Sequence, residues 1–333
     1  MFRVLIYLLA SPAAAVSAPS KNVSMLEIRS ADGTRLNAQV DLTAKKALGT
    51  VVFVSGTGGF DRDAKFGRSG TSRDLLFKDL VGRMNALGLQ TLRYDLRGIR
   101  HGVPAAETLD RRLLATRTTT TMRDDLAAIY GWARAQSGRQ GRCVIFFAHS
   151  EGMIHVARLA ASGAPAPRMI IGMGAAMESP RAVFHWQSTE RDAYSLGLMD
   201  SNRDGRITNA EVRTNWMNTP SAVFGMLQPF EHPEGSWSQA DLTTLRSNQE
   251  RIYGTGKAEV IAKSDAAPYP DAKNAFASYQ WWKSWYLDDV SSALRLARWK
   301  SPLILHYGDK DSQTNAARQL AAVGLGCRGS SGA

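Results

Sequence analysis

The chain has 333 residues, 44% of them hydrophobic, and a formal net charge of +11 from 41 basic and 30 acidic residues. That length and apolar share suffice for one large domain with an insertion, or for two modest ones. The positive charge is scattered, mostly on arginine and without long basic runs, which argues against a nucleic-acid partner. Two cysteines, Cys143 and Cys327, imply no disulfide framework.

The N-terminus reads MFRVLIYLLASPAAAVSAPSK. One arginine, a short apolar run from Val4 to Ala10 and then small residues have the layout of a signal peptide over residues 1–18. Cleavage fits near Ala15 or Ala18, with Pro19 disfavouring the second. The alternative is an uncleaved anchor or lipid-surface stretch. Either reading expects an exported protein, periplasmic or extracellular. The apolar run is too short to span a bilayer, and no other segment qualifies, so no transmembrane span is expected.

MLEIRS and LNAQVDL alternate around the turn ADG and predict a small antiparallel start. GTVVFVSGTGG is a continuous apolar run closed by glycines, the pattern of a strand buried on both faces. RDLLFKDLVGRMNALG has helical spacing and stops at Gly88. LQTLRYDLRG predicts a strand and TMRDDLAAIYGWARAQ a helix. RCVIFFAHS, EGMIHVARLAAS and RMIIGMGAA continue as strand, helix, strand. Much later SPLILHYGD predicts a strand and TNAARQLAA a helix. Strands alternating with helices predict a mostly parallel sheet covered on both faces, an α/β fold. The core is expected over residues 25–178 and 300–333. Between them, 179–299 reads as a cap of short helices and loops rich in tryptophan.

The stretch FFAHSEGMIHVARL places Ser150 where a buried strand turns into a helix. Such a turn lifts the hydroxyl off the sheet and aims the first helical amides at whatever it attacks. Small residues are needed two before and two after the serine, and Ala148 and Gly152 meet that need. With SGTGGFDRD, LRYDLRGIRHG and LILHYGDKDSQT, the motif resembles the α/β-hydrolase superfamily, in particular serine esterases with an HSEG elbow. The resemblance covers residues 49–178 and 300–320. It implies Ser150 as nucleophile and Asp311 as acid, with Asp309 a neighbouring rival. It also implies the backbone N–H groups of Glu151 and Thr57 as oxyanion hole, worth about 3–4 kcal/mol per donor. Asp61, Arg62 and Asp63 are expected to lock a loop.

The family order is serine, acid, histidine, yet none of the six histidines follows Asp311. The remaining SQTNAARQLAAVGLGCRGSSGA starts as a helix and fades, so the last strand and the histidine loop are expected to be missing, as in a truncated or frame-shifted tail. Among substitutes, His149 is expected to point away from its neighbour, His155 to pack, and His101 to lie nearest the rim.

A second constellation falls in the cap. DSNRDGRITNAE, Asp200 to Glu211, fits the calcium loop of EF-hands. Asp200, Asn202 and Asp204 supply side-chain oxygens, Gly205 the sharp turn, Arg206 a carbonyl, Thr208 a water position and Glu211 two oxygens. Ile207 pins the loop. One loop is read and no second, which predicts one structural Ca2+ of modest affinity, on the order of 10⁻⁴–10⁻³ M. The composite expectation is an exported serine hydrolase of carboxylic esters or related acyl substrates with a calcium-braced cap. The alternative is an inactive hydrolase-like chain or calcium-dependent binding module. Peptidase or thioesterase chemistry fits the same machinery.

Overall fold

The computed structural model describes residues 4–5, 23–43, 46–65, 75–103, 107–215, 230–265, 267 and 277–329. Most of the expected export segment, the whole of it except 4–5, lies outside these residues, as does Trp216.

The apolar runs become strands. In chain order they are β1 (Val4–Leu5), β2 (Val23–Arg29), β3 (Arg35–Asp41), β4 (Gly49–Val54), β5 (Leu89–Tyr94), β6 (Cys143–His149), β7 (Met169–Met173), β8 (Ile207–Thr208), β9 (Ser236–Trp237) and β10 (Leu303–His306). Eight form one sheet in the order β1-β10-β7-β6-β4-β5-β3-β2. Pairing is parallel from β1 through β5 and antiparallel at β5–β3 and β3–β2. Among the described residues no strand follows β10. The edge place beside β10 is taken by Val4–Leu5.

Both faces of the central strands are covered, as their unbroken apolar runs require. Val51, Phe53, Ile145 and Phe147 pack under α1 (Leu76–Ala86) around Phe77. The alternate residues Val52, Val54, Phe146 and Ala148 face the other way, the period of two expected of a strand. There they meet α3 (Thr119–Gly138), which follows the short α2 (Arg111–Ala115), and α4 (Gly152–Ala161). This is the expected α/β layout: a mostly parallel sheet flanked by helices, with an insertion before β10.

The insertion holds α5 (Pro180–Thr189), α6 (Arg191–Gly197), α7 (Asn209–Asn215), α8 (Gln239–Ala262) and α9 (Tyr279–Leu287). Short helices were expected throughout, but α8 runs 24 residues. Its apolar positions are sparse, only Leu242, Tyr253 and Val260 being buried, so it lacks a strong helical stripe. The legible signal was its start, where Ser238 and Asp241 form a capping box. The core resumes before residue 300. Within α10 (Ser292–Leu296), Ala293 and Leu296 join the main core with Trp299, and so do Ala322 and Val323 of α11 (Ala316–Gly329).

Three buried arginines tie loops to the sheet. Arg93, 2% exposed, is paired with both Asp41 and Asp63. Arg62 grips Asp95 through Nε and Nη2 at 3.0 and 2.7 Å. Arg97 holds Asp125 at 2.6 and 2.9 Å and reaches Asp32. Arg62 and Asp63 belong to the loop after β4, so these pairs fix the loop that carries Thr57. Replacing Arg93 by leucine leaves the buried Asp41 without its cation and removes the buried partner of Asp63. The variant Arg93→Leu is expected to lose about 3–5 kcal/mol of stability, read from the urea midpoint.

Candidate active site

At the end of β6 the chain reverses into α4 within two residues. Ser150 sits at φ +51°, a left-handed conformation uncommon outside glycine. Its N–H donates to Met173 O at 3.1 Å, and its carbonyl accepts from Ala176 N at 3.2 Å. The spacing leaves no room for side chains around it. A Cβ on Gly152 would stand 2.4 Å from Val54 O, and one on Gly56 would stand 2.8 Å from Ser150 Cβ. Both glycines are therefore required by the close approach of β4, its following loop and the elbow.

Thr57 lies in that loop, between Gly56 and Gly58, the latter at φ +129°. Arg117 secures the loop by donating to Gly58 O at 3.2 Å and to Arg97 O at 2.8 Å. Burial pushes the Arg117 guanidinium down to about 10. Glu151, expected to supply an oxyanion N–H, also has a buried carboxylate. Burial opposes its charge, but hydrogen bonds from His155, Thr57 and Trp281 outweigh this and hold it below its ordinary range. Trp281 Nε1–H donates to Glu151 Oε1 at 2.8 Å, so α9 of the cap is fastened to the residue after the serine.

Asp311 stands in the turn after β10. Its Oδ1 accepts from the N–H groups of Gln313 and Thr314 at 2.8 and 3.0 Å, and its Oδ2 from Thr314 Oγ1 at 2.8 Å. A Cβ on Gly174 would come within 3.3 Å of Oδ2, which places the carboxylate at the turn after β7. The cap braces this turn. Trp186 Nε1–H donates to Ser312 O at 2.8 Å and Ser195 Oγ to Ser312 Oγ at 2.9 Å, while Arg191 reaches Gln313 Oε1 at 3.2 Å.

Ser150, Thr57, Glu151 and Asp311 line one cavity of about 440 Å³. Phe60, Val183, Phe184, Trp281, Trp282 and Trp285 form its apolar wall. The tryptophan-rich composition pointed to the cap, but only the packing of α5 on α9 selects which three face the cavity. A groove of about 520 Å³ along β2 and β3 is polar and shares no lining residue with it.

Of the six histidines only His149 lines this cavity. A Cβ on Gly56 would lie 2.9 Å from its Nδ1, so the ring is wedged against the Thr57 loop. His101 does not reach the cavity; its Nε2 lies 3.1 Å from Asp63 Oδ2. His155 pairs with Glu151, His185 with Glu250 and His232 with Asp241. His306 is within β10.

The acidic loop lies apart, between α6 and α7. Asp200 Oδ2 accepts from Gly205 N at 3.0 Å, while its Oδ1 is shut from water with no hydrogen-bond partner among the described residues. Asn202 Oδ1 and Asp204 Oδ1 accept from Asp204 N and Arg206 N. Glu211 receives Ser201 N and Thr208 N, one on each oxygen, at 3.0 and 2.9 Å. Arg203 and Gly205 take positive φ, +60° and +80°, and Ile207 is buried. Among the described residues no three acidic, histidine or cysteine side chains converge as a ready-made metal cage.

No protein-family model matches the chain, and no curated protein matches it. Solved structures do. An acylaminoacyl peptidase from Pyrococcus horikoshii is 12% identical over 92% of this chain, with a TM-score of 0.44. This chain spans only 35% of that protein. An esterase from Rhodococcus sp. ECU1013 is 15% identical over 90% of this chain and 86% of its own, TM-score 0.46. A monoglyceride lipase of Saccharomyces cerevisiae is 13% identical over 96% and 98%, TM-score 0.41. At such distances the likeness concerns the layout of the chain. No helix among the described residues is long and apolar enough to cross a membrane.

Burial lowers the His149 imidazole to about 4, with Asp311 opposing the shift. The unfolded chain takes up this proton near 6.5, before the folded chain does. Its contribution to stability is thus present above about 6.5 and lost as pH falls toward 4. Melting temperatures between pH 7 and 4 are expected to fall more steeply for the wild type than for His149→Asn.

Proposed function

We propose that the chain is an exported serine hydrolase acting on carboxylic esters or related acyl compounds. The observation that carries this is the strained Ser150 elbow opening into the same cavity as Asp311 and the Thr57 loop. In this reading Ser150 Oγ attacks the acyl carbon. The N–H groups of Glu151 and Thr57 receive the developing oxyanion, and the tryptophan wall takes the apolar part of the substrate. Asp311 orients the group that accepts the serine proton. His149 is the imidazole in reach of the cavity and the first to test in that role.

We also propose that Asp200–Glu211 takes one calcium ion. The turn at Gly205, the buried Ile207 and the unpaired Asp200 Oδ1 support it. Asp200, Asn202, Asp204, Glu211 and the Arg206 carbonyl would hold the ion, with Thr208 over a water. The metal would supply structure rather than chemistry. Its route to the site is short: α6, which leads into the loop, carries Arg191 and Ser195, and these hold residues 312–313 beside Asp311.

One observation favours a second reading, an inactive hydrolase-like binding module. The three hydrogen bonds to Asp311 come from its own turn, the arrangement of a carboxylate that shapes its loop. Hydrolysis of a short-chain p-nitrophenyl ester separates the two. A rate that falls roughly a thousandfold or more in Ser150→Ala supports the enzyme. Equal rates support the binding module. For the metal, melting in calcium at ten- to hundredfold excess over its Kd is expected to add about 1.4–2.7 kcal/mol over chelator. Glu211→Gln is expected to abolish that gain.

A further inference from the structure

The acidic loop is paired. Its β8 runs antiparallel to β9, with Ile207 opposite Trp237 and Thr208 opposite Ser236. Setting Trp237 in register with Ile207 lays FEHPEGSWSQAD, Phe230 to Asp241, over DSNRDGRITNAE, Asp200 to Glu211. The two stretches then agree in backbone and in hydrogen bonding.

Gly205 and Gly235 share the sixth place, at φ +80° and +89°. At the third place a side chain accepts the N–H of the fifth residue: Asn202 Oδ1 from Asp204 at 3.0 Å, His232 Nδ1 from Glu234 at 3.2 Å. At the ninth and twelfth places Thr208 with Glu211 recurs as Ser238 with Asp241. In each the carboxylate accepts the ninth residue's N–H, at 2.9 and 2.8 Å, and its hydroxyl, at 2.9 and 2.6 Å. The same hydroxyl accepts the twelfth residue's N–H, at 3.2 and 3.3 Å. A helix follows each loop, α7 and α8. One apolar cluster joins them, with Met199, Ile207 and Val212 on one side and Phe230 and Leu242 on the other.

The donor sets differ. The first place, Asp200 in one loop, is the buried Phe230 in the other. The third is an imidazole whose Nδ1 already takes a backbone N–H, and the twelfth is the shorter aspartate. A first-place carboxylate and a bidentate glutamate are what calcium needs there, and both are gone.

We infer that Phe230–Asp241 is a second EF-hand-type loop that binds no calcium and positions the calcium loop by pairing with it. This rests on the calcium reading of Asp200–Glu211. The contacts between the loops show how it acts. Asn209, which is not a ligand, clasps the backbone of His232 from both sides: its Nδ2 donates to His232 O at 2.9 Å and its Oδ1 accepts His232 N at 2.8 Å. Asn209 N donates to Gly235 O at 2.9 Å, and Arg206 Nε to Ser236 Oγ at 2.9 Å. These fix the chain between the Arg206 carbonyl and Glu211, so less order remains to be imposed by the ion. The acidic pattern marks one loop; the register of β8 on β9 points to the other.

Calorimetric titration of the full chain with calcium chloride tests this. One ion per chain is expected, unchanged in number and affinity in Glu234→Gln. Asn209→Ala is expected to weaken binding about tenfold or more while the ester-site cavity stays intact, as outer contacts of metal sites do when removed. Trp237 provides a reading free of any folding defect in that variant. Its Nε1–H donates to Phe230 O at 2.8 Å and its ring meets His232 at 4.8 Å, so calcium is expected to change its fluorescence. Trp237→Phe would lose that change while still binding one ion. Two ions per chain, wild-type affinity in a folded Asn209→Ala, or a signal unaltered in Trp237→Phe would overturn the pairing and leave the calcium site standing. No calcium uptake at all would overturn the calcium reading and the pairing with it.

Discussion

The architecture turns on a steric constraint at the ends of β4 and β6. Two neighbouring parallel strands end together, and the chain leaving each must pass the other's turn. Gly152 lies against Val54 O and Gly56 against Ser150, at separations where a methyl group does not fit. The price is a serine at φ +51°. What results is Ser150 set at the junction of β6 and α4, in the lining of the cavity.

Everything else in the site serves to hold this crowded point. The buried arginines Arg62 and Arg93 anchor the loop after β4, and Arg117 binds its Gly58 carbonyl. These ions sit among carboxylates because an unpaired charge there would be too costly. Glu151 is satisfied in the same way, by His155, Thr57 and Trp281. Its partner Trp281 belongs to the cap, so the elbow and the cap share one hydrogen bond. The wall of the cavity and the residue after Ser150 are therefore not independent.

The cap reaches Asp311 as well. Trp186 of α5 and Ser195 of α6 both meet Ser312, one residue past Asp311. Further along, α6 leads into the acidic loop, whose β8 pairs with β9 ahead of the long α8. A continuous set of packed elements thus runs from the loop pair to the carboxylate. In the proposed reading, an ion in that loop would steady the acid from outside the sheet.

How much of this was legible in the sequence depends on the range of the interaction. The strands, the elbow and the acidic loop rest on local rules: apolar runs, small residues around a serine, oxygens at fixed spacing around a glycine. Ser150 was singled out by such a pattern, Thr57, Glu151 and Asp311 were named from the family resemblance, and all four line one cavity. The 24-residue α8 was missed because its buried face is sparse. That His149 lies in the cavity lining, its ring against Gly56, rests on a contact between residues far apart in the chain. The pairing of Phe230–Asp241 with Asp200–Glu211 was missed because it rests on the register of β8 on β9, which no local pattern gives. The sequence by itself determined most of the strands and helices and which residues are candidates for chemistry, since those follow from periodicity, residue type and motif resemblance. Tertiary structure alone decided which tryptophans and which histidine line the cavity with Ser150 and which loop pairs with which, because those contacts join residues that no spacing rule connects.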